Sequence, residues 1–288
     1  MIVPGSGSQA LASALARECD DTLAIPEFDR FPDGETLAAV PAAGADAPER
    51  AVVVAATPSN DAYVELLQIQ DALREAGVGE VVTVVPYMGY ARQDRAFESG
   101  DPVSARALAR AVSTGTDRVV LVTPHEAAVR EFFDGPVDVV DAASRLAVPL
   151  AGLETRLREP LFLSPDEGAV DIARTVRDAY GEGDTDYFEK TRHSGTEVSV
   201  EPSDAPVGGR DVVITDDIIA TGSTMAESVA VLRERDAERI FTACVHPLLA
   251  RAARTKLEAA GVECVYGTDT LERDVSAVSA APVVASVL

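Results

Sequence analysis

The chain has 288 residues, a length that is large for one hydrophobic core and ordinary for two domains. Its 48 acidic residues against 25 basic ones give a formal net charge of −23, which argues against nucleic acid or an anionic membrane as a partner. No apolar stretch reaches the roughly 18 residues of a membrane span, and the N-terminal segment lacks the basic region of a signal peptide, so we expect a cytoplasmic protein.

Basic residues are almost all arginine, because lysine occurs only at Lys190 and Lys256. A strongly acidic surface with few lysines is typical of adaptation to a high-salt cytoplasm, where screening weakens the repulsion between like charges. The cysteines at positions 19, 244 and 264 lack CxxC spacing, which indicates neither a disulfide framework nor a zinc site.

In the first half of the chain, short β-branched runs alternate with helical patterns, which predicts a mainly parallel sheet covered by helices on both faces. The chain begins with a short strand, a Gly/Ser turn and an amphipathic helix. A second helix starts at Ser59 or Asn60 and ends at Gly77. The predicted strands are Val52–Ala55, Val81–Val85, Val119–Val122 and Val137–Val140.

The second half repeats this alternation, which predicts a second α/β unit. We place the N-terminal domain at residues 1–144 and the C-terminal domain at residues 145–288, although a helix near 141–147 fits either one. The predicted strands are Leu161–Leu163, Val212–Ile214, Ile240–Val245 and Val262–Tyr266, and the predicted helices are Asp171–Ala179, Met225–Arg235 and Ala250–Ala260.

The segment RFPDGE, residues 30–35, reads as a turn with a possible ligand role. Phe31 offers a stacking face, and the carboxylates of Asp33 and Glu35 are suited to accept hydrogen bonds from an exocyclic amine or a ribose. The segment also fits an ordinary turn without a function.

Further polar residues follow predicted strands. Arg92 and Arg95 in PYMGYARQDR are three positions apart and suit an anion, although a solvated loop is the alternative. His125 is either a packed residue or a ligand of metal or phosphate. Asp166 follows a strand and suits Mg²⁺. The cations of EKTR, residues 189–192, alternate along one face of an extended ribbon, which indicates a cationic flap.

The most informative segment is VVITDDIIATGSTM, residues 212–225. A buried strand ends at Asp216 and Asp217, on the edge of the sheet where ligands bind in open α/β folds. The turn and helix start at 221–224 offer free N–H groups and hydroxyls to a phosphate. Paired carboxylates beside a phosphate suit the hydroxyls of a sugar phosphate. The alternative is a simple helix cap with solvated acids.

Together, these motifs and their order resemble the ribose-phosphate diphosphokinase (PRPP synthetase) family across nearly the whole chain. The resemblance implies two tandem phosphoribosyltransferase-type domains, each a mainly parallel sheet with helices on both faces. It implies ATP and ribose 5-phosphate as substrates, Mg²⁺ as cofactor, and a homo-oligomer. The products would be 5-phospho-α-D-ribose 1-diphosphate and AMP.

The resemblance also assigns roles to residues. It implies ATP-binding residues Phe31, Asp33, Gly34, Glu35, Arg92 and Gln93, metal ligands His125 and Asp166, catalytic residues Lys190 and Arg192, and ribose 5-phosphate-binding residues Arg192, Asp216, Asp217, Ala220, Thr221, Gly222, Ser223 and Thr224. The chain departs from the family at Ser223, where a glycine is usual.

Two other functions compete with this interpretation. A phosphoribosyltransferase shares the DD…TGST pocket but needs only one α/β unit. A noncatalytic regulatory paralogue is expected to lack the flap cations, and this chain has Lys190 and Arg192.

Overall fold

The computed structural model describes residues 1–44, 47–192, 198–202 and 205–288, and the side chains of residues 190–192 and 198–202 lie outside the description. The described chain forms two compact units. Unit 1 comprises Met1–Asp141, Asp269–Glu272 and Ser279–Leu288, and unit 2 comprises Ala142–Thr268 and Arg273–Val278. The boundary between residues 144 and 145 therefore stays a sequence-based proposal, and the C-terminal residues belong to unit 1.

Unit 1 is built on a five-stranded parallel sheet and a separate hairpin. In chain order its strands are β1 (Ile2–Pro4), β2 (Glu27–Arg30), β3 (Thr36–Ala39), β4 (Arg50–Val54), β5 (Glu80–Val85), β6 (Arg118–Val122) and β7 (Val137–Val140). Strands β2 and β3 form the antiparallel hairpin, and the parallel sheet has the order β1-β4-β5-β6-β7. Valines at 81, 82 and 84 are completely buried, as β-branched residues of a central parallel strand should be.

The helices of unit 1 connect these parallel strands. They are α1 (Gln9–Glu18), α2 (Asn60–Glu75) and α3 (Ser104–Ser113), with short 3-10 helices at Pro41–Ala43 and Ala127–Phe132. Helix α2 begins where Ser59 Oγ accepts a hydrogen bond from the N–H of Ala62 at 3.2 Å, which satisfies one free donor of its first turn.

Unit 2 is built on a seven-stranded sheet with the order β10-β9-β8-β11-β12-β13-β14. Its strands are β8 (Leu161–Ser164), β9 (Asp184–Arg192), β10 (Val198–Pro202), β11 (Val212–Ile218), β12 (Ile240–His246), β13 (Cys264–Thr268) and β14 (Ser276–Val278). Neighbouring strands are parallel except β9 and β10. Its helices are α4 (Ala147–Ala151), α5 (Val170–Tyr180), α6 (Ser223–Glu234) and α7 (Ala253–Ala260), with 3-10 helices at Ala143–Leu146 and Glu167–Ala169.

The last helix of the chain, α8 (Ala281–Ala285), belongs to unit 1, where it packs against α1.

The strand order of unit 2 reverses at β8. From β8 the chain passes to β9 on one side and then to β11 on the other. In open α/β sheets, such a reversal leaves a crevice outside the carboxyl ends of the two strands, and ligands bind there. The carboxyl ends of β8 and β11 therefore mark the expected ligand site of unit 2.

The fold predicted from the sequence is confirmed, with shifted element ends. Helix α7 starts at Ala253 and not at 250, because Arg251 has a φ of +57°, a left-handed conformation that a right-handed helix does not contain. The hairpin β2–β3 was predicted only as a turn. Within the described ranges, no helix combines the length and apolarity that crossing a membrane requires.

Candidate active site

Two carboxylates lie at the end of β11, beside the crevice of unit 2. Residues 212–214 of β11 pair in register with residues 161–163 of β8, so Asp216 and Asp217 emerge where β8 ends. Asp217 is 9% exposed, and its N–H donates a hydrogen bond of 2.9 Å to Asp216 Oδ1. The strand thus places two adjacent acids at the ligand edge of the sheet, as the sequence predicts.

Burial, together with the neighbouring charge of Asp217 and the smaller effect of Asp166, raises the pKa of Asp216 to about 9. The effect of Asp166 shows that its carboxylate lies in the electrostatic field of the pair. Because the ionised form of Asp216 is disfavoured here, a cation or a hydrogen-bond donor close to its carboxyl group is favourable.

The raised pKa predicts that the ligand-free protein loses stability as the pH rises from about 4 towards 9. In this window the folded protein keeps the proton of Asp216, whereas an unfolded carboxyl has released it near pH 4, so the folded state binds more protons. One proton contributes at most about 1.4 kcal/mol per pH unit. Urea unfolding at pH 5, 7 and 9 measures the slope. Asp216→Asn should flatten it, and an equal slope in this variant would contradict the assignment.

The turn between β11 and α6, residues 219–222, is held by backbone hydrogen bonds on both of its sides. The N–H of Ile219 donates to the carbonyl of His246 at 3.2 Å, and the N–H of Ala250 donates to the carbonyl of Ala220 at 2.8 Å. Helix α6 then begins at Ser223, as predicted, with Gly222 as its N-cap. Glycine has no side chain to accept the N–H groups of the first turn, so these donors are available to a ligand anion.

Gly222 has two reasons to be glycine. Its φ of +71° is a left-handed conformation, and an added Cβ would lie 3.1 Å from the carbonyl oxygen of Ala253. The turn therefore packs closely on the start of α7. The hydroxyl-bearing residues Thr221 and Thr224 are exposed beside it. We call residues Ala220–Thr224 the phosphate cradle, because their backbone and hydroxyl donors converge at one helix start.

Gly222→Ala should weaken binding of a phosphate-bearing ligand and destabilise the fold by more than the roughly 1–2 kcal/mol of left-handed strain alone. The matched control is Gly209→Ala, because Gly209 has nearly the same φ of +72° but no atom within 4 Å of an added Cβ. The control should show the strain without the loss of affinity. Denaturant unfolding and ligand titration measure both quantities, and equal effects of the two variants would show that the close approach to α7 is unimportant.

Asp166 follows β8 on the other side of the crevice. Its N–H lies 3.3 Å from Ser164 Oγ, and the same hydroxyl donates to the backbone carbonyl of Asp166. These bonds fix the short turn, and the side chain of Asp166 is half-buried. The structure thus brings together Asp166, Asp216 and Asp217, which the sequence predicted at separate strand ends.

The RFPDGE segment forms the tip of the hairpin β2–β3 in unit 1. The N–H of Phe31 donates to the carbonyl of Glu35 at 2.8 Å, and Asp33 Oδ1 accepts from the N–H of Glu35 at 3.2 Å. Gly34 has a φ of +96°, as this turn requires. Phe31 is 43% exposed, which leaves its ring free for stacking. A cavity of about 580 Å³ lies beneath the hairpin strands and is lined in part by Phe28, Arg30 and Ser59.

The PYMGYARQDR loop follows β5 in the same unit and approaches the hairpin through the start of α2. Tyr90 Oη donates to Asn60 Oδ1 at 2.7 Å, and the Arg30 guanidinium lies 2.5 Å from the carboxylate of the adjacent Asp61. Both predicted nucleotide segments therefore contact one helix terminus. Arg92 and Gln93 are exposed. Tyr90 has a φ of +63°, a strained conformation of the kind that clusters at functional sites.

His125 lies just after β6, on an exposed position of unit 1. Thr123, two residues earlier, has a φ of +39°, so the chain leaves the strand through a strained turn. Among the residues that the structure describes, no group of three or more His, Cys, Asp or Glu side chains forms a ready metal cage. Mg²⁺ commonly binds through one or two carboxylates plus substrate phosphates, so its binding does not require such a cage.

Lys190 and Arg192 lie on the last residues of β9, which pairs with β10 as an antiparallel ribbon. The predicted extended ribbon is therefore present, and residues two apart on a strand share a face. The side chains of Lys190 and Arg192 lie outside the described part, as do residues 193–197 entirely.

The contact of Lys256 with the phosphate cradle was not predicted from the sequence. Lys256 in α7 lies with its Nζ 2.8 Å from Ser223 Oγ. The available signal was the rarity of lysine, which occurs twice in 288 residues. The spacing of 33 residues between the partners gave no indication of the contact.

Comparison with known proteins gives two family matches. The N-terminal domain of ribose phosphate pyrophosphokinase matches residues 1–115, and the phosphoribosyl transferase domain matches residues 103–279. The ribose-phosphate pyrophosphokinase of Halobacterium salinarum is 59% identical over 288 residues and is covered completely, as is this chain. That of Methanosarcina mazei is 43% identical over 287 residues, which cover 100% of this chain and 94% of the relative.

A solved structure shows the same architecture over both units. The crystal structure of phosphoribosylpyrophosphate synthetase from Mycobacterium smegmatis superposes with a TM-score of 0.82 at 29% identity. The match covers 100% of this chain and 96% of that chain. The similarity thus includes both sheets and is not confined to the phosphate cradle.

Proposed function

The chain belongs to the ribose-phosphate pyrophosphokinase family, and on this premise we propose that it transfers the diphosphoryl group of MgATP to the C1 hydroxyl of ribose 5-phosphate. The products are 5-phospho-α-D-ribose 1-diphosphate and AMP. The observation that carries this proposal is the phosphate cradle beside Asp216 and Asp217 at the strand-order reversal of unit 2.

Ribose 5-phosphate binding is assigned to unit 2. The first-turn N–H groups of α6 and the hydroxyls of Thr221, Ser223 and Thr224 bind the 5-phosphate, because these donors converge at one helix start. Asp216 and Asp217 accept hydrogen bonds from ribose hydroxyls. The flap cation Arg192 adds a contact to the sugar phosphate.

ATP binding is assigned to unit 1. Phe31 stacks on adenine, and the hairpin-tip residues Asp33, Gly34 and Glu35 contact adenine and ribose. Arg92 and Gln93 contact the phosphates. The shared contact of both segments with the start of α2 supports this grouping.

The reaction needs alignment more than covalent help from the protein. The C1 hydroxyl attacks the β-phosphorus, the bond from this phosphorus to the bridging α–β oxygen breaks, and AMP leaves. Lys190 and Arg192 offset the charge that moves onto the leaving oxygen. We assign Mg²⁺ contacts to His125 in unit 1 and Asp166 in unit 2, since the mutually repelling acids around Asp166 favour a cation. When bound, Mg²⁺ neutralises phosphate charge.

Phosphorus NMR of the purified protein with ATP, Mg²⁺ and ribose 5-phosphate tests the proposal. We expect AMP and a new diphosphate on C1 of the sugar. A phosphoribosyltransferase would instead consume added PRPP together with a nucleobase. A noncatalytic paralogue would convert neither ATP with ribose 5-phosphate nor PRPP with a nucleobase. Residues 1–115 match a domain specific to the pyrophosphokinases, which favours the diphosphoryl transfer.

We also propose that the protein acts in the cytoplasm as a homo-oligomer. Size-exclusion chromatography with light scattering measures the oligomeric state, and a monomer that is fully active would contradict the proposal.

Salt should stabilise this protein. The formal charge of −23 produces self-repulsion that screening relieves, and the 59% identical relative comes from Halobacterium salinarum. We expect folding and activity to increase from dilute buffer to molar KCl. Thermal unfolding and the rate of AMP formation across this range measure the effect. Full stability without salt would refute the adaptation.

A further inference from the structure

Lys256 reaches the phosphate cradle from a different helix. Its Nζ lies 2.8 Å from Ser223 Oγ, and Ser223 is the first residue of α6. The chain has only one other lysine, at position 190, where the flap is assigned to transition-state charge. The second lysine is thus also located at a predicted anion site.

Helix α7 forms one wall of the cradle. The backbone of Ala253 approaches Gly222 so closely that a Cβ on Gly222 would lie 3.1 Å from its carbonyl oxygen. Residues three apart in a helix lie on one face, so Lys256 extends along the face that Ala253 begins. Ala250, three residues before α7 begins, donates a backbone hydrogen bond of 2.8 Å to the carbonyl of Ala220, the first residue of the cradle. This bond ties the segment that leads into α7 to the cradle.

The direction of the hydrogen bond determines what Ser223 can do. An ammonium group only donates, so the Ser223 hydroxyl must be the acceptor from Lys256. The hydroxyl's own hydrogen then remains available to another acceptor. Phosphate oxygens are such acceptors, and the first turn of α6 is where they are expected. Lys256 thereby selects an orientation in which Ser223 can donate to the anion.

The charges around the cradle favour the same role. A sugar phosphate in the cradle brings further negative charge close to Asp216 and Asp217, which lie on β11 a few residues before α6. A lysine ammonium is a compact positive charge, so Lys256 beside the cradle offsets the repulsion between the phosphate and these two carboxylates. The bond from Lys256 needs the hydroxyl of Ser223, which the neighbouring Gly222 does not have.

We propose that Lys256 is a positioning residue for the 5-phosphate, which orients the Ser223 hydroxyl and adds positive charge to the cradle. The inference rests on the proposed function, because it takes the cradle to hold the phosphate of ribose 5-phosphate.

Isothermal titration with ribose 5-phosphate, at one KCl concentration, tests the proposal on the full-length protein. We expect Lys256→Met and Ser223→Ala each to raise Kd about tenfold, as for loss of a charge-assisted hydrogen bond. The double variant should lose little more than either single one, since both remove one coupled unit. KM for ribose 5-phosphate should rise with kcat nearly unchanged. The Kd of a non-hydrolysable ATP analogue should stay the same in all variants.

Two control variants separate a local effect from a general one. Arg254→Met removes the same charge from the same helix, but Arg254 pairs with Glu258 and Asp274 and does not contact Ser223. It should change Kd less than twofold, whereas Lys256→Arg should recover part of the affinity. Lys256 is exposed, so its variants should melt at the temperature of the parent.

Wild-type affinity for ribose 5-phosphate in Lys256→Met would overturn the inference and leave the proposed function standing. An equal loss in Arg254→Met would also overturn it, because the effect would then be general electrostatic attraction. A parent protein that does not bind ribose 5-phosphate at all would instead refute the proposed function. Strictly additive losses in the double variant would contradict the coupling of Lys256 and Ser223.

Discussion

Replacing Lys190 by alanine should lower kcat on the order of 100-fold or more while ribose 5-phosphate binding stays nearly intact. The reason is that a flap cation contacts charge that develops mainly in the transition state. Lys190 lies in β9, two residues before Arg192, at which this strand ends. Steady-state kinetics with both substrates varied measures the effect.

Arg192→Ala is the companion variant. It should lower kcat in a similar way, and the double variant should lose less than the product of the two single losses if both cations act on one transition state. A rise in KM with unchanged kcat in Lys190→Ala would make this lysine a ground-state binder, and its assigned role would be wrong.

The second large effect is expected at the carboxylate pair. Asp217→Asn keeps the shape of the side chain but replaces an acceptor oxygen by a donor amide, so ribose 5-phosphate affinity should fall roughly ten- to hundredfold. Asp216→Asn should also weaken binding. Binding of an inert ATP analogue should remain, because the residues proposed to bind the nucleotide belong to unit 1 and the pair belongs to unit 2.

Titrations with ribose 5-phosphate and with the ATP analogue separate these sites, and Thr224→Val provides a third comparison. This variant removes one hydroxyl of the cradle at nearly constant volume, so it should affect the phosphorylated sugar and hardly affect ribose. If the Asp variants lost affinity for the ATP analogue as strongly as for the sugar phosphate, the division into a sugar half and a nucleotide half would fail.

The sequence predicted the parallel strands well because buried central strands have an unmistakable composition. Val137–Val140 was predicted with the ends that β7 has in the structure. The start of α6 was predicted at Ser223 or Thr224, and it lies at Ser223, since hydroxyl residues before a periodic apolar run mark a helix N-terminus. Hydrophobic periodicity thus located the elements that carry most of the candidate site.

Tertiary hydrogen bonds explain what the sequence pattern could not predict. The pattern from 250 onwards is helical, but the chain is bonded to the β11–α6 turn at Leu249 and Ala250, and Arg251 then has a left-handed φ of +57°, so α7 begins only after it. Strands β2 and β3 were not predicted, because the hairpin is largely exposed and lacks a buried apolar run. The meeting of Asp166 with Asp216 depends on the order of strands in the sheet, which no local pattern encodes.

The caps of α2 and α6 differ in what they leave open to a ligand. Each of these helices follows the strand that lies beside the first strand of its unit, β4 beside β1 and β11 beside β8. The two turns therefore occupy equivalent places in two versions of one architecture. In unit 1, Ser59 supplies an oxygen of the chain itself to the helix start, whereas Gly222 leaves that place open in unit 2. The start of α2 is thus closed by a hydroxyl of the chain itself, whereas the start of α6 keeps its N–H donors for a ligand anion.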